Sequence, residues 1–242
     1  MRSFEYLTYL REGMYNALAS IFYYSNGGVS VARRTREEAR ETREKLLESA
    51  LDIMSAKPFA SVSMNEIAEK VGLSKGAVYW HFKNKNDVLI TLIESLGLYI
   101  EEEMEKDSRN LATFDDIRLY FKKRMEKSLH LDPRFKKLNM LMERRQEWSE
   151  DVREKVMAIL SGTLNHERVM LENLIIKSQK EGTIRSDISS EELSSLFGAI
   201  FHGFFIFQIN ELYSLNFTKY TDFIFDAFAK ELKPETQKEK VL

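Results

Sequence analysis

Tyr79-Trp80-His81-Phe82 places one of the chain's two tryptophans beside one of its four histidines, with Lys75, Lys83 and Lys85 nearby. Such a group can do three kinds of work. An imidazole among aromatic rings can move protons, and rings on a short helix can fill a core. A phenol, an imidazole and ammonium groups on one surface can instead hold an anion. The rest of the sequence gives the first reading little support. There is no cysteine, so disulfides, thiolate catalysis and Cys-ligated zinc are excluded. No two histidines are spaced H-x-x-x-H, and no glycine-rich phosphate loop or nucleophile–base pair occurs. The expectation is therefore no enzyme, no metal site and no cofactor.

On a helix over residues 74–82, Val78 and Phe82 lie four apart and share a face with Leu73. They can pack on Leu51, Met54 and Ile67, while Lys75, Tyr79 and His81 point away and Trp80 flanks them. Gly76 costs such a helix about 1 kcal/mol against Ala. The cost is understandable if another surface must come close to the backbone there. A helix beginning Ser74, Lys75, Gly76, Ala77 can enter a major groove, roughly 12 Å wide, with its leading residues on base edges. The plainer alternative, a partly buried aromatic patch supporting a small domain, stays open on these residues alone.

The elements that must carry this helix are also legible. Gly (10) and Pro (3) are scarce over 242 residues, which favours long helices and short connections. From Arg33, charges of both signs give way to Leu46, Leu47, Ala50, Leu51 and Met54 at helical spacing. Thr35 or a neighbour is expected to cap this first helix, and Pro58 to end it. Ser63 with Glu66 three residues on reads as a capping box for a short helix closing at Gly72. Ser74 caps the next helix, and a long one runs from Asn84 to about Lys106. Two short helices across a Gly-containing turn form a helix-turn-helix. Further helices are expected at 114–130, Pro133–Glu147, Ser149–Lys180 stopped at Gly182, Ser190–Leu212 and Tyr220–Leu232. No segment shows sustained alternation, so the fold class is all-α. An N-terminal three-helix domain at 31–95 is followed by a C-terminal helical bundle at 96–235 and a tail at 236–242. Residues 1–30 form an extension, and Val31 is an alternative start. Its run Tyr15–Tyr24 is about ten residues, short of the ~20 that cross a bilayer, and Arg11 and Glu12 break any signal-peptide core.

Residues 33–95 resemble the DNA-binding domain of the TetR family of one-component bacterial transcriptional regulators. The family pattern G-(L/V)-S-x-G-x-x-Y-x-H-F-x-x-K is met at Gly72, Leu73, Ser74, Gly76, Tyr79, His81, Phe82 and Lys85. In motif the chain looks most like the multidrug-efflux repressor branch. The resemblance implies a TetR-like fold and a recognition helix at 74–82, with Lys75, Gly76 and Ala77 nearest the bases and Ser74, at its start, among the DNA-binding residues. Tyr79, Trp80, His81 and Lys85 would contact backbone, and Ser63 would approach a phosphate. Arg33, Arg34, Arg36 and Arg40 either add phosphate contacts or form a solvated helix start. Over residues 31–90, eleven Lys/Arg stand against nine Asp/Glu, while the whole chain carries −2. Placement rather than bulk charge must then carry affinity.

In this family the C-terminal bundle dimerises and binds an effector. Here "SSEELSSLFGAIFHGFFIFQINEL" and "FTKYTDFIFDAFAKEL" hold more Phe than one side of a surface helix needs, with Gly198, Ala199 and Gly203 permitting close approach. A homodimer through about 190–232 is expected. Effector candidates are Met142 and Trp148 as apolar lining, with Arg144, Gln146 and His166 as polar contacts and His130 as a further polar candidate. Function is then expected to be that of a ligand-responsive regulator, a repressor on a palindromic operator released by a small molecule, acting in the bacterial cytoplasm at the nucleoid and not at a membrane. The alternatives are a chromosome-organising DNA binder without small-molecule control and, further off, a helical adaptor using the 15–24 run.

Overall fold

Apolar residues at three- and four-residue spacing, broken by few glycines and prolines, produce helices and no strand among the described residues. In a computed structural model of the chain these are 29–129, 133–209 and 217–234, with side chains described over 36–124, 133–207 and 219–234. The order is α1 (Val29–Ala56), a 3-10 turn (Phe59–Ser61), α2 (Met64–Lys70), α3 (Lys75–His81) and α4 (Lys85–Ser108). Then come α5 (Phe114–Leu129), α6 (Pro133–Glu143), a second 3-10 turn (Arg145–Glu147), α7 (Glu150–Lys180), α8 (Ser190–Ile209) and α9 (Phe217–Glu231). The extension before Val29, the tail from 235 and His130 lie outside the described residues.

The chain divides into two compact units, residues 1–44 and residues 45–242. In the first, α1 already runs from Val29, so the expected cap at Thr35 is corrected. After Gly27-Gly28 no breaker occurs, and Arg40 lies 3.7 Å from Glu37 and 3.8 Å from Glu44, one turn away on either side.

In the second unit two apolar clusters form. One joins Leu46, Leu51, Met54, Ile67, Val78, Phe82 and Leu89 to Leu141, Trp148, Val152 and Val156. The other packs Phe114, Phe121, Leu171, Phe197, Phe201 and Phe225. Phe121 stacks on Phe201 at 3.7 Å and Phe197 on Phe225 at 5.4 Å, both planes 13° apart. Each fully buried ring of this kind is worth about 1.5–3 kcal/mol in area removed from water. The expected helix Pro133–Glu147 stops at Glu143 instead. The chain tightens into the 3-10 turn and turns extended at Trp148, whose ring is buried in the first cluster.

Candidate nucleic-acid interface

The pair α2–α3 is set by local chemistry at every junction. Ser63 caps α2, its hydroxyl accepting from the Glu66 N–H at 3.2 Å. Gly72 stands at φ +71°, a conformation side chains resist. There the Leu73 N–H reaches back to the Ala68 carbonyl at 2.9 Å and the Gly72 N–H to Glu69 at 3.0 Å, a Schellman closure. Ser74 then caps α3, accepting from the Ala77 N–H at 3.3 Å. Asn84 caps α4 by accepting from the Asp87 N–H at 3.0 Å, and the Asp87 carboxylate returns the favour to the Lys83 N–H at 2.8 Å. Three consecutive caps leave α3 little freedom in direction.

Burial sorts the two faces of α3. Val78 is fully buried and Phe82 nearly so, in the cluster that holds Leu51, Met54 and Ile67. On the other face Tyr79 is 48% and Trp80 71% exposed. Lys75 is exposed, with Nζ 5.8 Å above the Tyr79 ring. The half-buried His81 ring meets Trp80 edge-on at 4.6 Å and 89°. Gly76 is exposed, and a Cβ built there would meet only the Ser74 hydroxyl at 3.7 Å. Nothing inside the fold demands glycine at this position.

Lys85 is placed differently. Its Nζ donates to the carbonyls of Phe59 at 2.8 Å and Ala60 at 3.2 Å, reaches that of Val62 at 3.5 Å, and sits 4.7 Å over the Phe59 ring.

The effector candidates do not converge on one spot. Trp148 is buried in the first cluster and Met142 packs against it. Arg144 is half-buried beside them in sequence, and its Nη1 and the Trp148 Nε1 have no partner among the described residues. Gln146 is exposed. His166 sits on α7, 4.0 Å from Glu105 of α4. Sequence reasoning missed a buried polar group in the bundle. The fully buried Tyr120 donates to Glu167 Oε1 at 2.8 Å, and Arg124 Nε lies 3.5 Å from the same oxygen. Burial pushes the Tyr120 phenol well above its ordinary pKa, so it stays a donor. Only the i,i+4 spacing of Tyr120 and Arg124 hinted at it. Among the described residues no cluster of His, Asp and Glu is arranged to hold a metal ion, and no helix is long and apolar enough to cross a membrane.

Comparison with known proteins gives this arrangement its context. Residues 46–92 match the family model described as bacterial regulatory proteins, tetR family. The chain is 29% identical over 124 residues to a probable HTH-type transcriptional regulator, ArpR of Pseudomonas putida, covering 50% of this chain and 59% of that one. The match thus spans less than two thirds of that relative. In fold it is similar to NalD, the secondary repressor of the MexAB-OprM multidrug efflux pump in Pseudomonas aeruginosa. There the TM-score is 0.65 at 19% identity, over 82% of this chain and 99% of that one. It is also similar to SmeT solved with triclosan, at TM-score 0.63 and 20% identity, over 81% of this chain and 93% of that one. The matched residues 46–92 hold α2 and α3, so the helix-turn-helix is similar to that of the tetR family of bacterial regulatory proteins, and the fold of the described helices is similar to that of NalD and SmeT.

Proposed function

We propose that the protein is a ligand-responsive transcriptional repressor that binds a palindromic operator as a homodimer and leaves it when a small molecule binds the bundle. The observation that carries this is the division of α3: Val78 and Phe82 are buried while Lys75, Gly76, Tyr79 and Trp80 are exposed, and Gly76 stands where the fold leaves room for a side chain. In this reading residues 31–95 bind DNA and 96–235 sense the effector and dimerise. Ser74, Lys75, Gly76 and Ala77 approach base edges, and Ser63, Tyr79, Trp80 and His81 hold the backbone. Lys85 is the sequence-expected backbone contact whose ammonium is already engaged.

The dimer reading rests on the outer face of α8 and α9. Leu196, Phe207, Tyr220 and Phe223 are exposed there, Phe223 by 72%. Space is open where Gly198 and Gly203 would carry a side chain. A two-fold pair doubles the bases that one seven-residue helix can read. NalD is a repressor of a drug efflux pump and SmeT was solved with triclosan, which supports an apolar, drug-like effector. Met142, Arg144 and Trp148 around the α6–α7 connection are the residues proposed to meet it, while the exposed Gln146 and His166, on α7 beside Glu105, are separate polar candidates. An effector lowers operator occupancy only by binding the non-DNA arrangement better. Action at the nucleoid of the bacterial cytoplasm follows from this reading. The test is sequence preference: Lys75→Ala should change which duplexes the protein enriches from a random pool, whereas Tyr79→Ala should weaken all of them alike. Identical enrichment by Lys75→Ala and the wild type would take α3 off the bases.

A further inference from the structure

Two charged side chains grip the turn Phe59–Ser61 at its two polar ends. Lys85, in the first turn of α4, gives its ammonium to the carbonyls of Phe59 and Ala60 and reaches Val62. An ammonium has three N–H donors, so these carbonyls saturate it. Glu147, in the connection between α6 and α7, accepts the Phe59 N–H through Oε2 at 2.6 Å. Its neighbour Trp148 is buried in the same cluster as Phe59, which keeps that carboxylate in place. The turn runs through Val62 straight into Ser63, the cap of α2. A phosphate could take the Lys85 ammonium only by stripping it from carbonyls already at bonding distance.

We propose that Lys85 and Glu147 are positioning residues, a two-ended clamp on Phe59–Ser61 that fixes where α2 begins and, through the Gly72 turn, where α3 points. Lys85 on this account neutralises no phosphate. The proposal rests on the reading that α2–α3 bind duplex DNA. It also assigns a route between the C-terminal helices and that surface. Displacing the α6–α7 connection withdraws the acceptor from the Phe59 N–H and leaves the donor unpaired.

The experiment uses the full chain and two duplexes, one enriched by the wild type from a random pool and one of scrambled sequence, titrated over a salt series. Lys85→Ala and Glu147→Ala should each weaken binding to the enriched duplex about ten-fold, as loss of a charge-assisted hydrogen bond would. Affinity for the scrambled duplex and the slope of log K against log salt should not change. Hydrogen exchange at the Phe59 amide should accelerate in both, with the amides of Leu51 and Leu92 unaffected. Lys85→Gln and Glu147→Gln, which keep a donor and an acceptor, should recover most of the affinity. A phosphate-contacting Lys85 would instead lose about one unit of salt slope in both Lys85→Ala and Lys85→Gln, and would weaken both duplexes alike. Either result overturns the clamp. Should the alanine variants fail to fold, the slope of the glutamine variant at 85 decides alone. If the wild type does not distinguish the duplexes, the DNA reading fails, while Phe59 exchange in the variants still reports on the clamp.

Discussion

Asp52 shows how single residues tie these helices together. Its carboxylate accepts from Lys70 of α2 at 2.6 Å and from Lys137 of α6 at 2.5 Å. The hydrogen bond from Lys137, then that from Lys70, holds its pKa below the ordinary carboxylate value, against a smaller opposing effect of burial. The sign follows from linkage. A depressed carboxylate adds stability that is full above its unfolded value, about 4, and is lost as pH falls through its folded one. Urea denaturation should therefore find Asp52→Asn less stable than wild type at pH 7, with the gap shrinking as pH falls below about 4. A gap independent of pH would remove the ion pairs from the account. Such residues also mark the limit of sequence reading. Ser63 and Ser74 were legible as caps, and Asn84 as a helix start, because a cap acts three residues away. Asp52 and Lys137 are 85 apart in the chain, and Phe59 and Glu147 are 88 apart. Lys85 was legible as a charge near a DNA-reading helix, but the direction of its ammonium was decided by a turn 26 residues earlier.

Among the elements, the contact of α4 with α7 is the tightest helix approach that a glycine explains. A Cβ at Gly97 would lie 3.0 Å from the Thr163 hydroxyl and 3.6 Å from the Ile159 side chain, whereas one at Gly162 would meet nothing within 4 Å. Gly97→Leu should cost about 1–3 kcal/mol by overpacking this seam. Gly162→Ala should instead stabilise by up to about 1 kcal/mol through helix propensity. Thermal unfolding of the two variants checks both signs, and a neutral Gly97→Leu would mean the helices separate freely. Apolar spacing located α4, α5, α7, α8 and α9 to within a few residues, because each buries one face over many turns. The end of α6 was not legible. Nothing in "MERRQEW" breaks a helix; the turn there is imposed by burial of Trp148 against residues far back in the chain. The start of α1 was misread for the opposite reason: a good capping residue at Thr35 does not stop a helix that has already begun.

For the whole molecule, the proposed function joins an outward-facing α3 to an apolar face on α8 and α9 and to an effector-binding bundle. The proposed pairing through α8 and α9 makes a direct prediction. Phe223→Glu should convert a dimer to a monomer in sedimentation at micromolar concentration, with helical circular dichroism unchanged, since the ring is mostly exposed within one protomer. An unchanged dimer would move the interface off α9. Net charge is −2, so the molecule as a whole repels DNA slightly, and any affinity must come from where a few side chains stand. The measurement that tests this most directly is the affinity of the full chain for a duplex it has enriched against a scrambled duplex, at near-physiological salt. The account predicts a preference of at least about a thousand-fold, falling toward the scrambled value when Lys75 and Tyr79 are both replaced by alanine. Equal affinity for the two duplexes, or a preference that survives loss of Lys75 and Tyr79, would contradict it.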